Sequence, residues 1–104
     1  MASSKEYLTF IMDQLSEAEE VSYKAMMEYI IYYRGKIIGG IYDDRFLVKP
    51  TKSAAAMMPD AEYGLPYEGA KEMLLVDEVD NREFLKELLE KMYEELPEKK
   101  KRSR

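Results

Sequence analysis

The densest group of side chains able to do chemistry is the carboxylate set Asp77, Glu78, Asp80 and Glu83, with a second, smaller pair at Asp43-Asp44. Hard cations such as calcium or magnesium take oxygen ligands of this kind, but the spacing of a calcium loop is missing from both groups. Each has a simpler use. Asp80-x-x-Glu83 reads as a capping box at a helix start, where acids offset the helix dipole, and Asp43-Asp44 reads as a turn between two strands. The chain contains no histidine and no cysteine. This removes the commonest acid-base group, thiolate metal sites and disulfides together. No nucleophile-base pair, phosphate loop or dinucleotide fingerprint replaces them, and Gly39-Gly40 lies inside a strand pattern instead of opening a helix. The sequence is therefore read as a non-enzyme, with no cofactor, metal or small-molecule substrate.

A different chemistry belongs to residues 26–50, where tyrosines alternate with aliphatic and basic side chains. Tyr29, Ile31, Tyr33, Lys36, Tyr42, Arg45, Leu47 and Lys49 form the candidate partner-binding set. Aromatic rings and cations in one patch suit burial against a protein, or stacking on bases while cations meet phosphates. The same residues would also serve if another part of the chain simply covered them. A second basic element is the terminal run Lys99, Lys100, Lys101, Arg102 and Arg104, a candidate nucleic-acid tail. The first 97 residues hold 11 of the 16 basic and 20 of the 21 acidic side chains. A body that acidic repels a phosphate backbone, so a protein partner or self-association ranks ahead of nucleic acid.

These groups need elements to position them. Ser3-x-x-Glu6 predicts a helix carrying Leu8, Ile11, Met12 and Leu15 on one face, running to Glu19 or Glu20. Val21 to Ala25 leads into the sheet. Glu28–Tyr33 and Lys36–Tyr42 flank Arg34-Gly35 as a hairpin, and Asp43-Asp44 joins a third strand that Pro50 ends. Thr51 is the expected cap of a short helix over 52–58. A loop follows, with a brief edge strand near Leu65–Tyr67 and a further strand over 72–76. Phe84, Leu85, Leu88, Leu89 and Met92 supply the stripe of a last helix ending near Leu96-Pro97. The expected fold is α+β in two layers, an antiparallel sheet with helices on one face, in the order α-β-β-β-α-β-β-α. Residues 1–97 make one domain and 98–104 a disordered tail.

With two-residue loops in both hairpins, strict alternation sends Ile30, Tyr32, Ile37, Ile41, Phe46 and Val48 to the helices, with Glu28 at the edge. The eight candidate residues and Ile38 then share the opposite face. Gly39-Gly40 marks a bend, a bulge or a close approach of another chain. Methionines such as Met12, Met57, Met58, Met73 and Met92 are packing residues. The apolar runs fall short of the roughly 18 to 20 residues of a membrane helix, and no leader pattern opens the chain, so no membrane association and a cytoplasmic location are expected.

The stretch YKAMMEYIIYYRGKIIGGIYDDRFLVKPT, followed by PYEGAKEMLLV and the terminal helix, resembles the N-terminal domain of the TfoX (Sxy) competence-regulator family. The likeness runs from about Ser3 to Leu96. It rests on the aromatic strand, the Gly-Lys hairpin, the strand before Asp-Asp-Arg and the Leu-Val-Lys-Pro exit. It implies a two-layer α+β domain of the same element order, and a role in transcriptional control of DNA-uptake genes through partner proteins, with no catalytic residues. Two departures stand out: Met26-Met27 runs straight into Glu28 where the family places a glycine, and longer relatives add a second domain.

Overall fold

Two pairs of positive backbone angles organise the centre of the molecule. Arg34 (φ 53°) and Gly35 (φ 85°) make the first, Asp43 (φ 55°) and Asp44 (φ 57°) the second. Positive φ at both central residues is the type I′ geometry, whose twist matches that of two antiparallel strands. Tyr33 accordingly pairs with Lys36, and Tyr42 and Arg45 exchange backbone hydrogen bonds of 2.9 and 3.0 Å. Both hairpins have the expected two-residue loops.

The computed structural model describes residues 4–26 and 28–96. Among these the chain runs α1 (Lys5–Gln14), β1 (Val21–Met26), β2 (Glu28–Tyr33), β3 (Lys36–Ile41), β4 (Phe46–Val48), α2 (Lys52–Met57), β5 (Tyr63–Gly64), β6 (Met73–Leu75) and α3 (Arg82–Tyr93). The antiparallel sheet has the order β1-β2-β3-β4-β6-β5. This is the expected α+β class and element order with one strand more. Val21 to Ala25, read from the sequence only as a lead-in, belong to a strand that runs to Met26 and pairs with β2 along its whole length. Their composition has weak strand propensity, and the partner strand supplies the order.

Helix starts sit one residue later than the capping boxes suggest. Ser4 caps α1 by accepting from the Tyr7 amide at 3.1 Å, and Asn81 caps α3 by accepting from Phe84 at 3.1 Å. Thr51 caps α2 as expected. Helix α1 ends at Gln14, short of Glu19, and a turning segment follows in which Glu20 (φ 62°) swings the chain into β1. The Gln14 side chain is buried and donates to the Val79 carbonyl at 3.0 Å, tying α1 to the approach of α3. The expected edge strand lies at Tyr63–Gly64, ahead of Leu65–Tyr67.

All three helices share one core with one face of the sheet. Leu8, Ile11 and Leu15 of the first helical segment, Ala54 of α2, and Leu85, Leu88, Leu89 and Met92 of α3 pack against Ile31, Tyr33, Ile38, Ile41, Phe46, Val48 and Leu74. Removing each large apolar side chain from water stabilises the fold by about 1.5 to 3 kcal/mol, which makes this layer the main source of stability.

The face assignment from strict alternation needs correction. Between β2 and β3 the register runs Tyr33↔Lys36 and Tyr32↔Ile37, then Ile31↔Gly39, Ile30↔Gly40 and Tyr29↔Ile41. Ile38 is therefore the extra residue of a β-bulge. One extra residue reverses the alternation beyond it. Tyr29, Ile31, Tyr33 and Lys36 point to the helices, together with Ile38, Ile41, Phe46 and Val48. Ile30, Tyr32 and Ile37 point away from them. The bend expected at Gly39-Gly40 thus exists, displaced by one residue, and it regroups the faces of the sheet.

Candidate interaction surface

The eight candidate residues do not form one surface. Ile31 and Tyr33 are core residues, and Tyr29 packs against the same core. Lys36 also turns to the helix layer, where its Nζ lies 4.0 Å from the Tyr93 ring centroid and donates to the Tyr93 carbonyl oxygen at 3.0 Å. Tyr33 meets Tyr93 edge-on at 5.7 Å, and the Arg34 guanidinium carbon lies 5.5 Å from the Tyr33 ring. These four side chains bind the first hairpin to the end of α3. Burial pushes the Tyr33 hydroxyl above its ordinary pKa; Arg34 acts the other way, and Glu90, Glu19 and Glu20 add to the rise.

Tyr42, Arg45, Leu47 and Lys49 lie on the outer side, facing a covering segment that follows β5. The Arg45 Nε donates to the Tyr42 carbonyl at 3.2 Å, and its Nη2 donates to the Leu65 carbonyl at 2.9 Å. One guanidinium thereby pins the covering segment to the second hairpin. Leu47 is fully buried beneath it, and Tyr42 is 7% exposed. Burial raises the Tyr42 pKa, with smaller contributions from Tyr67 and Glu28. Part of the supposed working surface is thus covered by the chain itself.

Glycine decides how Tyr42 lies. A Cβ on Gly40 would stand 2.6 Å from the Tyr29 carbonyl oxygen and 2.7 Å from the Tyr42 hydroxyl, so the ring rests where a side chain would be. On the other side, a Cβ on Gly39 would come 2.0 Å from the Leu47 carbonyl oxygen. The two glycines admit close approach on opposite faces of β3.

Beside the covered part remains an open one. Ile37 is 38% exposed, Tyr67 is 64% exposed, and Ile30 and Tyr32 are half-buried. Between β3 and the covering segment runs a groove of about 430 Å³ lined by Ile37, Tyr42, Lys49, Pro50, Pro66, Tyr67 and Met73, among others. Its walls are mostly apolar, and Lys49 and Lys71 bring cations to it while Glu72 brings one carboxylate. Sequence reasoning missed Ile30, Tyr32 and Ile37 as surface residues, since alternation without a bulge sent them inward. The Gly-Gly pair after Ile38 was the available signal. Tyr67 had none beyond its loop position.

Asp44 accepts from the Ser4 amide at 2.8 Å and holds the start of α1 to the second hairpin. Asp77 and Glu78 border a small cavity of about 190 Å³ with Met57, Met58 and Phe84. Among the described residues, no three acidic, histidine or cysteine side chains gather as a metal site. Lys99, Lys100, Lys101, Arg102 and Arg104 lie outside the described residues. No described helix is long and apolar enough to cross a membrane.

The fold and this surface define a small two-layer α+β protein with a partly covered outer sheet face. No family model matches the chain, and no solved structure matches it. It is 35% identical over 80 residues to an uncharacterized 12.7 kDa protein in the trpE 5′ region of Spirochaeta aurantia, across 76% of this chain and 70% of that protein. The chain belongs to the same family as this spirochaete protein.

Proposed function

We propose that the chain is a non-enzymatic regulatory module of the TfoX N-terminal type, which holds another protein on the outer face of its sheet. In this reading it acts in the cytoplasm, in the transcriptional control of DNA-uptake genes. The observation that carries the binding role is the open apolar strip: Tyr32 and Ile37 are cross-strand neighbours on the outer face, with Ile37 and Tyr67 bordering the groove. An aromatic and aliphatic strip beside a groove with cations at its margin has the make-up of a protein-binding site. The element order, which is the one implied by the resemblance with β1 added, supports the family reading.

A protein partner is favoured over nucleic acid. Lys36 is turned to α3 and Arg45 is engaged with two backbone carbonyls, which leaves Lys49 as the outward cation of the three. The body is also acidic, which disfavours a phosphate backbone.

The test is site-specific photocrosslinking in the native cell, with the reactive side chain placed at Ile37 or, as a control, at Glu87 on α3. A discrete crosslinked protein is expected from Ile37 alone, and Tyr32→Asp should abolish it. Crosslinks of equal yield from both positions would overturn the assignment of the surface, and crosslinks to nucleic acid would favour the alternative partner.

A further inference from the structure

The two edges of the sheet are unlike. At one end β5 is two residues long, whereas at the other β1 presents six residues, of which Ser22, Tyr23, Lys24 and Ala25 are exposed. Among the described residues no strand pairs with the outer side of β1, and an edge of that length is a template for another strand. We infer that β1 pairs with β1 of a second copy of this chain, antiparallel and centred on Tyr23, to make one continuous sheet across a two-fold axis. This goes beyond the proposed outer-face partner and stands on separate observations.

The ladder geometry selects the register. The Arg34 amide donates to the Glu20 carbonyl at 2.9 Å, and β1 follows β2 without a shift. Antiparallel alternation then turns the backbone groups of Ser22 and Lys24 toward β2, and those of Val21, Tyr23 and Ala25 toward the open edge. A two-fold axis at Tyr23 makes Tyr23 with its own copy, and Val21 with Ala25, the hydrogen-bonded pairs. Centring on Lys24 would set two ammonium groups directly opposite, which is unfavourable. Centring on Ser22 would use less of the strand, because the chain leaves extended geometry at Glu20.

Side chains fit the same register. Tyr23 is 46% exposed, and its ring stands edge-on to Tyr29 at 5.9 Å. Pairing at Tyr23 extends this contact into a row of tyrosines from both copies on the helix-bearing face. On the outer face Lys24 comes opposite Ser22 of the partner subunit, so no like charges stand directly face to face. The Tyr23 pair at the axis and the two Lys24–Ser22 pairs beside it make the strand complementary to itself, and this is the reason for assigning a second copy of this chain as the occupant.

Sedimentation equilibrium over a wide concentration series tests the pairing. The purified chain should approach twice its 12.2 kDa mass at the upper concentrations. Tyr23→Asp, which sets two carboxylates face to face, and Ser22→Lys, which sets a second ammonium against Lys24, should each weaken the dimer by about tenfold or more. Adding Lys24→Glu to Ser22→Lys should restore it, and this charge swap keeps the test decisive where Tyr23→Asp fails to fold. Ile37→Asp, on the proposed partner surface, should leave the dimer unchanged. A monomer at every concentration would overturn the inference. So would a dimer that ignores both β1 variants, or one that only Ile37→Asp disrupts.

Discussion

The ammonium group of Lys36 lies 4.0 Å from the ring centroid of Tyr93 and donates a hydrogen bond to the carbonyl oxygen of the same residue. Lys36 opens β3, and Tyr93 closes α3. One side chain therefore joins the tip of the first hairpin to the end of the last helix, where a cation also meets the negative end of the helix dipole. It is one of the contacts that hold the sheet to the helix layer at that end.

Lys36→Met should destabilise the fold by about 1 to 2 kcal/mol, from loss of the cation–π contact and a charge-assisted hydrogen bond. Tyr93→Leu should cost a similar amount. Because both changes remove the same contact, the double variant should cost less than the sum of the two single ones in urea unfolding. Strict additivity would mean that the contact contributes nothing in solution.

Gly39→Ala and Gly40→Ala should both destabilise, in that order of severity. At Gly39 the obstacle is backbone of β4, which moves only with the sheet, whereas at Gly40 part of the obstacle is the side chain of Tyr42. A cost of about 3 kcal/mol or more is expected at Gly39 and about 1 to 3 at Gly40. Thermal unfolding of the two variants side by side checks the ranking.

Arg45→Met should release the segment that covers the outer face. The loss of two guanidinium hydrogen bonds should lower stability by about 1.5 to 3 kcal/mol. The informative readout is local: hydrogen exchange should accelerate around Leu65 and at Tyr42 while α1 and α3 keep their protection. Uniform acceleration would assign Arg45 a global role instead.

Alkaline pH should unfold the protein more readily. Tyr33 and Tyr42 have pKa values raised by burial, so the unfolded chain ionises first as pH passes the ordinary tyrosine value of about 10. Below that value both states are neutral and these groups leave stability flat. Above it the unfolded state is favoured, and stability falls until the buried hydroxyls ionise in turn. Tyr42→Phe should reduce the slope of stability against pH in that window.

Much of the local structure was legible in the chain. Arg34-Gly35 and Asp43-Asp44 announced two-residue turns because glycine accepts positive φ without strain and short polar residues such as aspartate tolerate it. Thr51 announced a helix cap, and the stripe from Phe84 to Met92 announced α3. The eight-residue binding set fared differently. It depended on strict alternation through Ile38, and one bulge sent Tyr29, Ile31, Tyr33 and Lys36 to the helices while leaving Tyr42, Arg45, Leu47 and Lys49 outside.

Short-range chemistry alone, then, determined the turns, the helix stripes and the order of elements, since each depends on neighbours a few residues away. Tertiary structure decided where the bulge falls, which side of β2 is core, and that residues 21–26 are a strand. These depend on partners distant in sequence: Gly39 must fit against the backbone of Leu47, Ile38 must enter the core, and β1 takes its order from β2. A two-residue period carries no record of an insertion until a second strand is laid against it.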